Sequence, residues 1–488
     1  MKLSLISLTA LLVYLAIVIT PLGIALHLSL PQRPLFDQLS SGLAMIGFNI
    51  ILLEFVTTGR IRVLSRLLGI DWILQIHQLF ARTAVVFLTI HPFIYTLPSR
   101  ATYAAGVPDE NYLGLLGPSF ISGVIGVLIL AALIGMAITR SSSQMKYETW
   151  RISHALMAVL IALLGFHHTT HAGRYAQEPA MLMYWKVGLA ISLLSLAWVY
   201  IIRPLMQKLD GYEVISTKEI AHKIYELTIR SKNKKQLNYQ AGQFAWIKLK
   251  TIQPPFENPF SISSSPQLTE APGEIKFLIK DIGDFTHQVS ELKVGELIYI
   301  DAPYGNFGQS CLDSSRKHIV MIAGGAGIAP IISLLRTLAA RSKSDLADKK
   351  IQIIYGNRIK EQIIDLNKMI DFTKFKNLNL IPVVTEASSD WSGMSGLLDE
   401  PALRTLLHPG KNNEFPLAEA QFLVCGPAEM IDSVEITLGK MGISLTQIDS
   451  EKFQYDFSQG GPRNRLSLLI LGLASSALVL SALYLSRL

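Results

Sequence analysis

Six long apolar stretches occupy the first two hundred residues, at about Leu3–Leu28, Ser40–Thr57, Trp72–Leu97, Ser119–Thr139, Glu148–Thr169 and Leu182–Arg203. A seventh fills Leu466–Ser486, uncharged between Arg465 and Arg487. Each is near the roughly 20 residues that a helix needs to cross a hydrocarbon core. The pattern therefore predicts membrane-spanning helices. After Asp210 it changes to short alternating runs, Tyr212–Ser216, Tyr225–Ile229, Phe244–Lys248, Ile275–Ile279 and Leu297–Ile300, separated by Gly, Pro, Asn and Lys. Such runs predict a small antiparallel barrel. From Lys317, the apolar runs His318–Ala323 and Ile351–Tyr355 flank a helical one, Ile331–Ala340, which is the rhythm of a parallel βαβ sheet. The expected fold is a multi-domain membrane protein. It has a six-helix bundle (residues 1–208), an antiparallel β-barrel (209–314), an α/β parallel-sheet domain (315–457) and a linker with an extra C-terminal transmembrane helix (458–488).

Composition supports this division. Half the residues are apolar and 17% are charged, too greasy for an ordinary soluble enzyme. The net charge of +7 lacks a basic stripe with interleaved aromatics, so nucleic acid is not an expected partner, whereas a lipid bilayer is. Arg60, Arg62 and Arg66, then Arg140, Lys146 and Arg151, then Arg203 and Lys208 crowd alternate loops. The opposite loops carry Arg33, Arg100 and Arg174 accompanied by Asp37, Asp109, Glu110 and Glu178. The positive-inside rule places the N-terminus and the soluble module in the cytoplasm, as for an integral protein of a bacterial plasma (inner) membrane. The first apolar run lacks a small-residue cleavage site and is read as a retained helix. Two cysteines, Cys311 and Cys425, exclude a disulfide framework or an all-thiolate cluster within this chain.

Two of the apolar helices carry histidine pairs. His77 and His91 lie fourteen residues apart, and His154 and His167 thirteen apart with His168 next. These spacings are about 20 Å along a helix axis. One imidazole in a membrane helix more often bonds a neighbouring helix, but four at matched depths point to two metal centres, and bis-imidazole ligation suits haem iron. An ideal helix brings a residue fourteen positions on back to the same face, which favours His168, whereas a local π or 3₁₀ turn would rescue His167.

The soluble module carries three further signals. Asn258-Pro259-Phe260-Ser261-Ile262-Ser263-Ser264 sets an aromatic beside hydroxyls, suited to a flat ring and its polar edges. Gly283-Asp284-Phe285-Thr286 opens a predicted short helix whose N–H groups and Thr hydroxyl suit a pyrophosphate. Gly324-Gly325-Ala326-Gly327-Ile328-Ala329-Pro330 follows a strand and precedes a helix, the context of a dinucleotide loop. Asn357 and Arg358, near Lys360, end the next strand, where a base suits a 2′-phosphate and favours NADPH over NADH. Cys425-Gly426-Pro427 follows another apolar run; Cys425 is read as facing the nicotinamide rather than as a small core residue.

Together these motifs resemble the NADPH oxidase and ferric reductase superfamily over about Leu3 to Phe457. The resemblance implies that His77, His91, His154 and His167 hold two b-type haems, the family's spacing on the fifth helix being thirteen. It implies that Asn258, Pro259, Phe260, Ser261, Ser263 and Ser264, with Gly283, Asp284, Phe285 and Thr286, hold FAD. Gly324, Gly325, Gly327, Pro330, Arg358, Gly426 and Pro427 would hold NADPH. Cys425 would face the reacting ring, and Phe453, in Glu451-Lys452-Phe453, would cover the flavin. Two departures are Asn258 in place of His and Ala329 in place of Thr. Oxygen-reducing members often carry a second His where this chain has Tyr95, and an Arg at the outer end of the second helix that is missing here. The expected activity is therefore electron transfer from cytoplasmic NADPH to an extracytoplasmic acceptor, ferric chelate or another small oxidant. The alternatives are reduction of oxygen to superoxide, or donation to an extracytoplasmic protein.

Overall fold

The computed structural model describes residues 5–28, 34–94, 118–141, 147–172, 178–233, 235–249, 257–267, 271–313, 317–342, 348–407, 417–452 and 462–485, with isolated positions between. The chain forms two compact units. One is helical, within Ser4–Ile61, Leu74–Ile202 and Ser467–Leu488; the other holds both sheets, within Arg62–Ile73 and Arg203–Leu466.

The helical unit contains α1 (Leu5–His27), α2 (Leu35–Glu54), most of α4 (Ile70–Ile94), α5 (Pro118–Ile138), α6 (Tyr147–His171) and α7 (Pro179–Ala197). The seven-residue α3 (Arg62–Leu68) belongs to the other unit. Among the described residues six helices are long and apolar enough to cross a membrane, counting α7 with its continuation to Leu209. Helix α2 is the packing centre, and small residues admit its neighbours. A Cβ on Gly47 would meet Leu88 of α4 at 2.9 Å, and one on Gly165 of α6 would meet Phe48 at 2.5 Å. Pro21 inside α1 has no N–H to give to the Ile17 carbonyl four residues back. Asn49 of α2 fills that role, donating from Nδ2 to Ile17 O at 2.8 Å. The C-terminal α13 (Pro462–Leu485) packs in the same unit, burying Ala474, Leu478 and Ala482 at helical spacing. A Cβ on Gly42 would lie 3.2 Å from Ala482, and Thr83 Oγ1 lies 3.1 Å from Ser475 Oγ.

The second unit starts its first sheet after α8 (Arg203–Leu209). Its six antiparallel strands are β1 (Tyr212–Ala221), β2 (Ile224–Ser231), β3 (Phe244–Leu249), β4 (Asn258–Ser261), β5 (Glu274–Lys280) and β6 (Leu297–Tyr304), in the order β4-β3-β6-β1-β2-β5. The expected barrel is not closed. Among the described residues, edges β4 and β5 are joined at the single bridge Ile262–Phe277, because β4 is four residues long, includes Pro259 with no N–H to donate, and runs into the Ser263–Ser265 turn. Buried Asp301 on β6 accepts from Arg62 and Arg203 and, at 2.8 Å, from the Tyr304 hydroxyl, fixing α3 and α8 to this sheet.

The second sheet is wholly parallel: β7 (His318–Gly324), β8 (Lys350–Asn357), β9 (Asn377–Val384), β10 (Met394–Ser395), β11 (Gln421–Cys425) and β12 (Ile448–Glu451), in the order β10-β9-β8-β7-β11-β12. Alternate residues bury opposite faces. Met321, Ile353 and Leu423 pack with α10 (Ile328–Ala339), and Val320, Ile354 and Phe422 with α11 (Glu400–Leu407) and α12 (Ala428–Lys440).

Candidate functional site

In the helical unit, α4 and α6 face each other with histidines at two levels. The His77 and His154 ring centres are 6.4 Å apart, and those of His91 and His168 are also 6.4 Å apart. Two metal–imidazole bonds of about 2 Å, with ~1.1 Å more from each nitrogen to its ring centre, span about 6 Å. Each gap would admit one iron held by an imidazole from either side. The expectation of His167 opposite His91 is not what the geometry shows. His167 turns to Ser122, 2.9 Å from Nδ1, and stacks on His171 with centres 4.3 Å apart. No local turn intervenes in α6, so the fourteen-residue repeat of a regular helix selects His168.

Backbone carbonyls orient the His91 and His168 pair. Pro92 cannot donate to Leu88 O, and His91 Nδ1 donates there instead at 2.7 Å. His168 Nδ1 donates to Ser119 O at 2.7 Å, and Gly123 makes room, since a Cβ there would touch that ring at 2.7 Å. At the other level, His77 Nδ1 meets Glu54 Oε2 at 2.6 Å. His154 Nδ1 is buried with no partner among the described residues, and its ring packs 5.1 Å from Trp150. An acceptor on Nδ1 leaves Nε2 as the bare ligand nitrogen. The carboxylate partner was missed in the sequence because 23 residues separate Glu54 from His77. Pro92, directly after a candidate ligand, was the readable signal at the other level.

In the sheet-containing unit, the two flavin-type segments come together. Phe260 stacks on Phe285 with centres 5.7 Å apart and planes 19° apart. Asn258, Pro259, Phe260 and Ser261 form β4, and Ser263 Oγ is buried with no partner among the described residues, an open hydrogen-bonding position in the place expected for FAD. Ser264 has a structural role, bonding Tyr239 at 2.9 Å and Lys276 N at 3.1 Å. Helix α9 (Asp284–Ser290) does start after Gly283. The Thr286 hydroxyl, expected to face a pyrophosphate, instead closes the turn. It accepts from Ile282 N and Gly283 N and donates to Gly283 O, each at 2.9 Å.

The glycine loop lies where strand order reverses, between β7 and β11, the usual position of a dinucleotide crevice. A Cβ on Gly327 would sit 2.3 Å from Cys425 O, and one on Gly324 2.9 Å from Pro427. Gly325 has φ +53°, and Pro330 occupies the first turn of α10, where no partner for its missing N–H is needed. Gly324, Gly325, Gly327, Pro330, Cys425, Gly426 and Pro427 therefore form one crevice wall. Cys425 is buried, and burial, then Glu451 and Asp71, push its thiol well above the ordinary range, so it is neutral at physiological pH. Arg358 is exposed beside Glu386 at 3.4 Å, and Lys360 pairs with Asp390. Sequence reading missed Lys280, whose Nζ would lie 3.8 Å from a Cβ on Gly325. Burial, then the charge of Arg358, pull its ammonium below the ordinary value, and its Nζ donates to Gln362 Oε1 at 3.2 Å. Phe453 lies outside the described residues.

Comparison with known families gives three matches in chain order. Residues 43–165 match the ferric reductase like transmembrane component, 213–307 an FAD-binding domain and 321–435 the oxidoreductase NAD-binding domain. The anthranilate 1,2-dioxygenase electron transfer component of Acinetobacter baylyi is 27% identical over 229 residues, 46% of this chain and 60% of that protein. NADH-cytochrome b5 reductase 1 of Candida glabrata is 26% identical over 234 residues, 46% of this chain and 76% of that protein. Among solved structures, a ferredoxin reductase of carbazole 1,9a-dioxygenase is similar at 24% identity and TM-score 0.42, covering 50% of this chain and 69% of that one. A Malassezia yamatoensis flavohemoglobin is similar at 15% identity and TM-score 0.45, covering 86% and 99%. The chain therefore carries an FAD-binding domain followed by an oxidoreductase NAD-binding domain, and it spans 60% of the length of the first of these relatives. With the ferric-reductase transmembrane component fused ahead of them, it has the architecture of the NADPH oxidase and ferric reductase superfamily.

Proposed function

We propose that the chain transfers electrons from cytoplasmic NADPH across a membrane to an outer acceptor, with ferric chelate or another small oxidant favoured. The observation that carries this reading is the pair of equal 6.4 Å gaps, His77–His154 and His91–His168, each able to take one iron. Bound FAD would take a hydride and release single electrons, and two b-type haems would relay them through a layer closed to charged carriers.

The chain's own residues select, orient and insulate. Arg358 and Lys280 attract phosphate groups of NADPH, and the glycine loop lets the dinucleotide approach its backbone. Neutral Cys425 forms an apolar wall beside the nicotinamide site. Phe260 and Phe285 offer apolar surface to the flavin, and Ser263 Oγ offers a hydrogen bond. His77 and His154 hold the inner haem and His91 and His168 the outer one, with inner and outer set by the loop arginines. In this orientation α13 runs outward beside α4 as a seventh span. The small residues Gly42 and Ala482, which allow its close contact with α2, support that placement.

Anaerobic NADPH added to the purified protein should bleach the flavin and then reduce the haem bands. Ferric chelate should then reoxidise them faster than oxygen. Haem bands that never change would sink the transmembrane relay. Faster reoxidation by oxygen would turn the reading to superoxide production, and reoxidation by neither would turn it to a protein acceptor.

A further inference from the structure

The two histidine levels differ in what holds their ring nitrogens. At one, His91 and His168 both donate to neutral carbonyls. At the other, His77 donates to a carboxylate and His154 Nδ1 has no partner among the described residues. Glu54 is 7% exposed although it is the last residue of α2, and a buried acidic side chain is costly and calls for a reason. Three donors converge on it. Tyr14 OH gives to Oε1 at 2.7 Å, while Thr57 Oγ1 and His77 Nδ1 give to Oε2, each at 2.6 Å.

Joining α1, α2 and α4 needs no charge there. A glutamine could accept from Thr57 and His77 through its one oxygen and turn its amide N–H toward the Tyr14 hydroxyl oxygen. What the carboxylate adds is a stronger acceptor for the ring N–H. A carboxylate behind a ligating imidazole raises the basicity of the ligand nitrogen, and second-shell bonding is a main control of haem potential. A more basic ligand stabilises the oxidised iron. Its negative charge acts in the same direction, and at close range in a low dielectric it is weakly screened.

We infer that Glu54 is a positioning residue that, through His77, makes the inner centre the lower in potential of the two, so that each electron leaving it runs downhill to the outer one. The inference rests on the haem reading above. The electron lost by the inner iron is the one gained by the outer iron, and no proton or further reactant is needed.

The test is a spectroelectrochemical titration of the full-length purified protein, with haem content measured in parallel. The parent should show two midpoints. Glu54→Gln should keep both haems and raise the lower midpoint by at least tenfold in the one-electron equilibrium, about 59 mV, while the upper stays in place. Tyr14→Phe removes a competing donor from the carboxylate and should move the lower midpoint the opposite way. A haem-loaded Glu54→Gln with both midpoints unchanged overturns the inference, and so does movement of the upper midpoint alone. If Glu54→Gln loses haem, Tyr14→Phe decides, and an unmoved lower midpoint overturns the inference. A parent without haem would show itself before any variant is made, and would overturn the relay itself together with this inference.

Discussion

The two units build their sites from opposite parts of the chain. In the helical unit the candidate site is made of side chains, because helical backbone groups are already paired within their own segments. Where a proline breaks that pairing a carbonyl becomes free: His91 takes the one left by Pro92, as Asn49 takes the one left by Pro21. In the sheet-containing unit the candidate site is largely backbone, exposed at strand ends, with glycines clearing the approach. Substitution should therefore act chemically in the first unit and sterically in the second.

The largest effect should come from the ligands. His154→Leu should remove one haem and stop transmembrane transfer, yet leave NADPH reduction of a soluble dye. His168→Leu should remove the other haem, whereas His167→Leu should leave the haem-to-protein ratio near two. The reverse pattern at these neighbours would reassign the ligand. Next comes Gly327→Ala, whose Cβ would fall 2.3 Å from the Cys425 carbonyl. Backbone cannot yield that much, so NADPH-to-dye activity should fall at least a hundredfold with both haem bands retained. Retained dye activity would break the contrast between the units.

Arg358→Ala is smaller. A charge-assisted phosphate contact is worth about 1.5–3 kcal/mol, but this side chain is exposed and shared with Glu386, so the Michaelis constant for NADPH should rise by only about tenfold, with NADH little changed. Glu386→Gln should move it in the opposite direction. Equal effects on both dinucleotides would make Arg358 a plain surface charge.

The smallest effect concerns His287 on α9. Its bond to Asp281, Nδ1 to Oδ2 at 3.0 Å, and that carboxylate's charge raise the imidazole above its ordinary value. A raised folded value means that the stabilisation is complete below about pH 6.5, the unfolded value, and is lost as pH rises through the folded one. A proton NMR titration should show the raised midpoint returning toward 6.5 in Asp281→Asn.

Much of this was legible in the sequence. Hydrophobic runs located six helices to within a few residues, since lipid-facing and buried faces alike demand apolar side chains. The glycine loop was readable because one short segment carries all of its geometry. That His168 faces His91 was readable from the 3.6-residue turn, whereas the thirteen-residue spacing of the resemblance pointed to His167. Glu54 and Lys280 were not readable, as each acts on a partner distant in sequence. Thr286 carried a motif, but a hydroxyl next to free amides bonded the nearest ones. Barrel closure depended on the length of β4 and on one proline, details below the resolution of an alternating pattern.

The helix after the soluble module adds a consequence for synthesis. Ala482 packs beside Gly42, so a seam of the membrane unit joins residues made more than four hundred positions apart. The sheets are translated before that seam can close, and in the finished chain they are an insertion, tied to the bundle at both ends. Until α13 is made, the faces of α2 at Gly42 and of α4 at Thr83 lack the helix that covers them, so the bundle packs fully only after the sheets have been translated.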